Sequence, residues 1–209
     1  MTLEMLATCS GVSADPRRPG VLESPTSVST PRFAALGMVA RWKPVHLGHA
    51  AVLRGLVAAA PRVVLGIGSS NRYDLRSPFT ASESRAMVRL AIGEAPGVTI
   101  MDVPDLGDGP RWRAMVGEMF GPLDAFVTDN PYVASLMRER YAVIRPVEFV
   151  PPEDRVAIDG TAVRRAMAKG SDWRALVPPA VAEYIVAGGL DARFRREFGL
   201  QTLAGDAPA

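Results

Sequence analysis

The stretch Ala40-Arg41-Trp42-Lys43-Pro44-Val45-His46-Leu47-Gly48-His49 decides how the rest of the chain is read. It begins where an apolar run over residues 33–41 ends, passes through a proline turn and enters a helical segment at Gly48. A strand that feeds a helix through a short turn is the opening of a βαβ unit. Both histidines of the chain, His46 and His49, fall in that turn, three residues apart and on either side of Gly48. In an open α/β sheet, ligands bind at the carboxyl ends of strands, where helix N-termini present free N–H groups and the positive end of their dipole. A lone histidine here would read as structural; two at this spacing mark a candidate ligand site. Gly48 would let a phosphate come close to the backbone. A zinc reading is weak on ligand count, because no carboxylate or cysteine accompanies the pair.

Outward from this point the pattern repeats. Candidate strands are 33–41, 62–68, 98–103, 124–128 and 141–147, separated by helical segments 48–60, 80–93, 111–120 and 131–140. Thr80 with Glu83 three residues on has the form of a capping box. Two further helices are expected over 159–169 and 171–188, capped by Asp159 and by Ser171 or Asp172, with Gly188-Gly189 stopping the second. Strands alternating with helices imply right-handed crossovers and a mostly parallel, doubly wound five-stranded sheet with helices on both faces. The domain is expected over 32–190. Residues 1–31, rich in Ser, Thr, Pro and Gly without a period, read as a disordered N-terminal tail, and 191–209 as a C-terminal tail. The first segment lacks the basic start and apolar stretch of a signal peptide, and Arg17-Arg18 lacks the hydrophobic run of a twin-arginine signal.

Composition narrows the class. The chain has 209 residues, 48% hydrophobic and 22% charged, enough to build a core, which excludes wholesale disorder and a disulfide-stapled miniprotein. No apolar run approaches the roughly 18 residues of a membrane helix. A single cysteine, Cys9, excludes an internal disulfide and a cysteine-based zinc site. A net charge of +2 is too mild to call for a nucleic-acid partner. All but Lys43 and Lys169 of the 24 basic residues are arginine, which reads as codon bias of a GC-rich genome and does not identify a function. The expected location is the cytoplasm, with no membrane partner.

His-x-Gly-His after the first strand resembles the signature of the nucleotidylyltransferase superfamily, whose core is Rossmann-like. The chain is most similar to archaeal-type nicotinamide mononucleotide adenylyltransferases, over about residues 33–185. Ordered motifs carry the resemblance: Ile67-Gly68-Ser69; Pro78-Phe79-Thr80-Ala81-Ser82-Glu83; Asp105-Leu106 with Trp112; Asp129-Asn130-Pro131-Tyr132-Val133; and Asp159-Gly160-Thr161-Ala162-Val163-Arg164-Arg165. The resemblance implies transfer of a nucleoside monophosphate from a triphosphate to a phosphate oxygen of a small acceptor, with pyrophosphate released. An acceptor phosphate is already ionised, so such chemistry needs positioning and charge neutralisation more than a general base.

By the same resemblance, His46, His49, Arg41 and Arg164 are the catalytic residues. Arg41, Arg76 and Arg164 would clamp phosphates through forked hydrogen bonds that lysine does not reproduce. Gly48, Ser69, Thr161 and Asn130 would line the substrates, Trp112 would stack on the acceptor ring, and Mg2+ would be held mainly by phosphate oxygens and water. For Arg76 and Arg165 a solvated surface role competes, and for Trp112 a place in the core. A homo-oligomer is implied as well.

The chain departs from the family pattern at Ala40, Lys43, Ser82, Ser84, Gly109, Asp129 and Asp159, where that pattern has glycine, glutamine, glycine, arginine, asparagine, glycine and serine. The changed positions are those associated with base and acceptor recognition, so the acceptor and the base stay open. ATP with nicotinamide mononucleotide is one reading. CTP with a small phosphonate of an antibiotic pathway is a second. A nucleotide-binding sensor without catalysis is a third.

Overall fold

The computed structural model describes residues 32–205; the tail expected over 1–31 lies outside the described residues. Five strands, β1 (Ala35–Ala40), β2 (Arg62–Gly68), β3 (Val98–Val103), β4 (Ala125–Val127) and β5 (Ala142–Ile144), form one sheet in the order β3-β2-β1-β4-β5. Every pairing is parallel, with Ala35 opposite Arg62 and Leu36 opposite Ala125. The expected Rossmann-like doubly wound sheet is therefore present. Because β1 has β2 on one side and β4 on the other, successive crossovers leave in opposite directions and open a crevice above these strands.

Period-two alternation sends Leu36, Met38, Val63 and Leu65 into one buried cluster and Val64 and Phe126 into another. On the first face lie α1 (Leu47–Ala59), α2 (Ala81–Ile92), α5 (Gly160–Lys169) and α6 (Pro179–Ala187), which add Leu53, Met87, Met167 and Ile185. On the second lie α3 (Gly109–Phe120) and α4 (Pro131–Met137), which add Val116, Phe120 and Met137. The capping box forms as expected: Thr80 Oγ1 accepts from Glu83 N at 3.2 Å, and Glu83 Oε2 accepts from Thr80 N at 2.9 Å. Asp159 caps α5 through the Ala162 N–H at 2.7 Å.

Two expectations are corrected. The helix over 171–188 is broken: a 3-10 turn, Arg174–Leu176, precedes α6, which starts only at Pro179. Pro178 and Pro179 cause the break, since a residue before proline is pushed out of the helical region and proline has no N–H to donate. Ser171 instead closes α5, its N–H donating to Ala166 O at 2.9 Å while Gly170 takes a left-handed turn. The domain also continues past residue 190. Residues 190–204 run as α7 (Leu190–Phe194), a π-helical turn (Arg195–Gly199) and α8 (Leu200–Ala204). Phe194 is fully buried and stacks on Phe79, and Arg193 grips both Glu83 carboxylate oxygens at 2.6 and 2.7 Å. Among the described residues no helix is long and apolar enough to cross a membrane.

Candidate active site at the head of β1

The turn after β1 is held from below. Trp42 takes a left-handed backbone (φ 55°), unusual for a bulky residue, and its buried indole N–H donates to Gly66 O of β2 at 2.9 Å. Lys43, also buried, donates from Nζ to Ser69 O at 3.0 Å. Burial pushes its pKa down to about 8, with Arg41 adding to the fall and Asp74 opposing it. These two anchors tie the turn to the end of β2 and fix where α1 begins.

His46 is the N-cap of α1: its Nδ1 accepts from the His49 N–H at 3.3 Å. A ring nitrogen that accepts carries no proton, so the neutral ring holds its hydrogen on Nε2. The two imidazoles stack with centroids 3.7 Å apart, and Trp42 packs 4.9 Å from His49. His49 is half-buried as a residue, and its Nδ1 is sealed from solvent. Desolvation lowers the His46 pKa to about 4, helped by Arg164 and opposed by Asp159. Desolvation and then His46 push His49 well below its ordinary value. Both rings are therefore neutral near pH 7 and act as hydrogen-bonding groups, not as cations.

This has a measurable cost in acid. Between pH 6.5 and about 4 the unfolded chain protonates His46 while the folded chain does not, so stability falls as pH falls through that window. The loss from this residue approaches about 3 kcal/mol by pH 4. Urea midpoints of the wild type and His46→Asn, compared at pH 7.5 and 4.5, check it: the variant should lose distinctly less. Equal losses would mean that His46 is not desolvated.

The start of α5 comes back to the same turn. Arg164 donates from Nη1 to Lys43 O at 2.9 Å and from Nη2 to Thr161 Oγ1 at 3.2 Å. Burial, together with Arg41, lowers the guanidinium pKa, while Asp159 raises it. Asp159, at a position expected to be serine, places a carboxylate at this helix end.

Above the turn opens a cavity of about 970 Å³. Of the residues singled out in the sequence, Arg41, His46, Gly48, His49, Ser69, Trp112 and Asn130 line it. Thr161 and Arg164 are not among the lining residues: Arg164 is held on the Lys43 carbonyl below the cavity, and Thr161 accepts from Arg164. Arg76 is not brought in: it lies on an exposed turn, its N–H donating to Asp74 Oδ1 at 2.8 Å. Asn130 Oδ1 is spent on capping α4, accepting from Tyr132 N and Val133 N at 2.9 and 3.1 Å. Sequence reasoning gave no role to Asp108, Tyr132, Arg155 or Ile158, which also line the cavity. Tyr132 stands in the Asp129–Val133 motif and Asp108 just before α3, while Arg155 and Ile158 fall in the segment before α5. Among the described residues no cluster of three or more His, Cys, Asp or Glu side chains is placed to hold a metal ion. A divalent ion here would have to arrive held by a ligand's phosphates and water.

Comparison with known proteins gives this geometry its context. Residues 39–106 match the family model described as cytidylyltransferase-like. The nicotinamide-nucleotide adenylyltransferase of Methanolobus tindarius is 33% identical over 150 residues, covering 70% of this chain and 84% of that protein. The enzyme of the same name from Thermococcus onnurineus is 37% identical over 152 residues, covering 70% and 79%. This chain belongs to the nicotinamide-nucleotide adenylyltransferase family. A bifunctional NMN adenylyltransferase/ADP ribose pyrophosphatase from Francisella tularensis, solved with AMP and a manganese ion, shares the family's fold at a TM-score of 0.63 and 16% identity. The match covers 85% of this chain, which spans 57% of that longer protein.

Proposed function

We propose that the protein transfers the adenylyl group of ATP to nicotinamide mononucleotide, forming NAD and pyrophosphate. A phosphate oxygen of the mononucleotide attacks the α-phosphorus, the bond from the α-phosphorus to the bridging oxygen breaks, and pyrophosphate leaves with that electron pair. The observation that carries the reading is the convergence of His46, His49, Arg41 and Arg164 at the head of β1, in a chain 33–37% identical to enzymes named for this activity.

In this reading the α1 N-terminus and the His46 Nε2–H face the triphosphate, with Gly48 leaving room for it. Gly48 is confined on two sides: a Cβ there would lie 3.2 Å from the His46 ring and 3.3 Å from Ile158 O. Arg41, Arg164 and Thr161 neutralise and orient the departing phosphates, and Ser69 lines the same end. Trp112 supplies a ring face to the acceptor. Mg2+ enters as part of the MgATP substrate. Arg76 can join only if its turn moves toward the cavity.

Pyrophosphate release by the purified protein with Mg2+ tests the reading, crossing ATP and CTP against nicotinamide mononucleotide and a panel of small phosphonates. Release confined to ATP with the mononucleotide is the expected result. Release confined to CTP with a phosphonate would replace it with the cytidylyltransferase reading. Nucleotide binding without release in any pair would make the protein a sensor.

A further inference from the structure

Helices α3 and α4 begin side by side at the cavity. Gly109, the first residue of α3, and Trp112, three residues on, share one helix face and both line the cavity. A Cβ at Gly109 would overlap the Tyr132 hydroxyl oxygen and lie 3.1 Å from both Tyr132 Cζ and Leu136 Cδ1. The missing side chain at 109 is thus the space that the Tyr132 phenol fills.

Tyr132 is firmly placed. Pro131 starts α4, Asn130 Oδ1 takes the Tyr132 N–H, and Ser135 Oγ donates back to Tyr132 O at 2.8 Å. Yet the side chain is uncovered: Tyr132 is 62% exposed, and among the described residues no hydrogen bond reaches its hydroxyl. An exposed tyrosine on a fixed backbone at a cavity mouth, with an apolar body and a polar tip, is suited to meet a ligand that has the same two parts.

We propose that Tyr132 is the residue that reads the acceptor: its hydroxyl, lodged against Gly109 one turn from Trp112, hydrogen-bonds the acceptor's ring substituent. This rests on the adenylyltransferase reading above, in which the acceptor carries a nicotinamide ring. Its carboxamide both donates and accepts, and a phenol can answer either group. Trp112 would hold the ring by its face while Tyr132 fixes which edge is presented.

The test is steady-state kinetics with ATP and nicotinamide mononucleotide on wild type, Tyr132→Phe and Gly109→Ala. Tyr132→Phe keeps the ring and removes only the hydroxyl, so it should raise KM for the mononucleotide about tenfold, from loss of one hydrogen bond. Its kcat and its KM for ATP should stay within about twofold. Gly109→Ala should displace the phenol and raise the same KM at least as much, with melting curves showing that both variants fold. An active wild type whose mononucleotide KM is unmoved by Tyr132→Phe overturns the inference and leaves the proposed function standing. A wild type that makes no NAD overturns the proposed function and this inference with it.

Discussion

Turnover falls by about 10²–10³ in a His49→Ala variant, while ATP affinity changes by no more than about threefold. The ring is held between His46 at 3.7 Å and Trp42 at 4.9 Å, at the end of the cavity where the α1 N-terminus emerges. With the acceptor already ionised, the chain's contribution is a set of donors fixed around the α-phosphorus. Removing one fixed donor from a transition state costs about 3–4 kcal/mol in comparable sites. Ground-state binding of the triphosphate, shared with Arg41, Arg164 and backbone N–H groups, suffers less. The substitution leaves the residue 49 N–H free to donate to His46, so the start of α1 survives. Single-turnover rates with saturating ATP provide the measurement. Rates within about twofold of wild type would remove His49 from the catalytic set.

Gly55→Ala is expected to destabilise the protein by about 3 kcal/mol, lowering the melting temperature by about 6–12 °C. On an open helix face this change is favourable by up to about 1 kcal/mol, because glycine is the poorer helix former. Here α1 runs against the turn Pro146–Phe149. A Cβ at residue 55 would overlap the Phe149 carbonyl oxygen and lie 2.8 Å from its carbon and 3.0 Å from Phe149 Cβ. Backbone cannot rotate out of the way as a side chain can, so the turn itself must shift. Pro146, Val147 and Val150 line the cavity, so the same displacement should raise KM for ATP. Thermal unfolding of the two proteins decides the matter; a variant as stable as wild type would mean that the helix and turn do not meet this closely.

Legibility followed the range of the forces involved. The Thr80–Glu83 box and the Asp159 cap could be read because donor and acceptor lie three residues apart. The break before α6 is equally local, written in Pro178-Pro179, although the cap and stop residues alone fit one helix over 171–188. The last helical segments left a fainter trace: Leu190, Phe194 and Phe198 recur every four residues, but the segment carries five charged residues from Asp191 to Glu197. Phe79 and Glu83, both supplied from across the fold, make it part of the domain, the first stacking on Phe194 and the second binding Arg193. Arg76 lies outside the matching motifs, two residues before the one that opens at Pro78, and the Asp74–Ser77 bridge holds it in an exposed turn that does not line the cavity.

By itself the sequence determined the alternation of strands and helices, the caps, and the placing of His46, Gly48 and His49 at the end of β1, since each depends on neighbours a few residues away. Only the tertiary structure decided that both imidazoles are neutral, that Arg164 binds the Lys43 carbonyl, and that Tyr132 fills the space over Gly109. Desolvation and contacts between residues far apart in the chain are properties of packing, and they exist only once the helices have closed over the sheet.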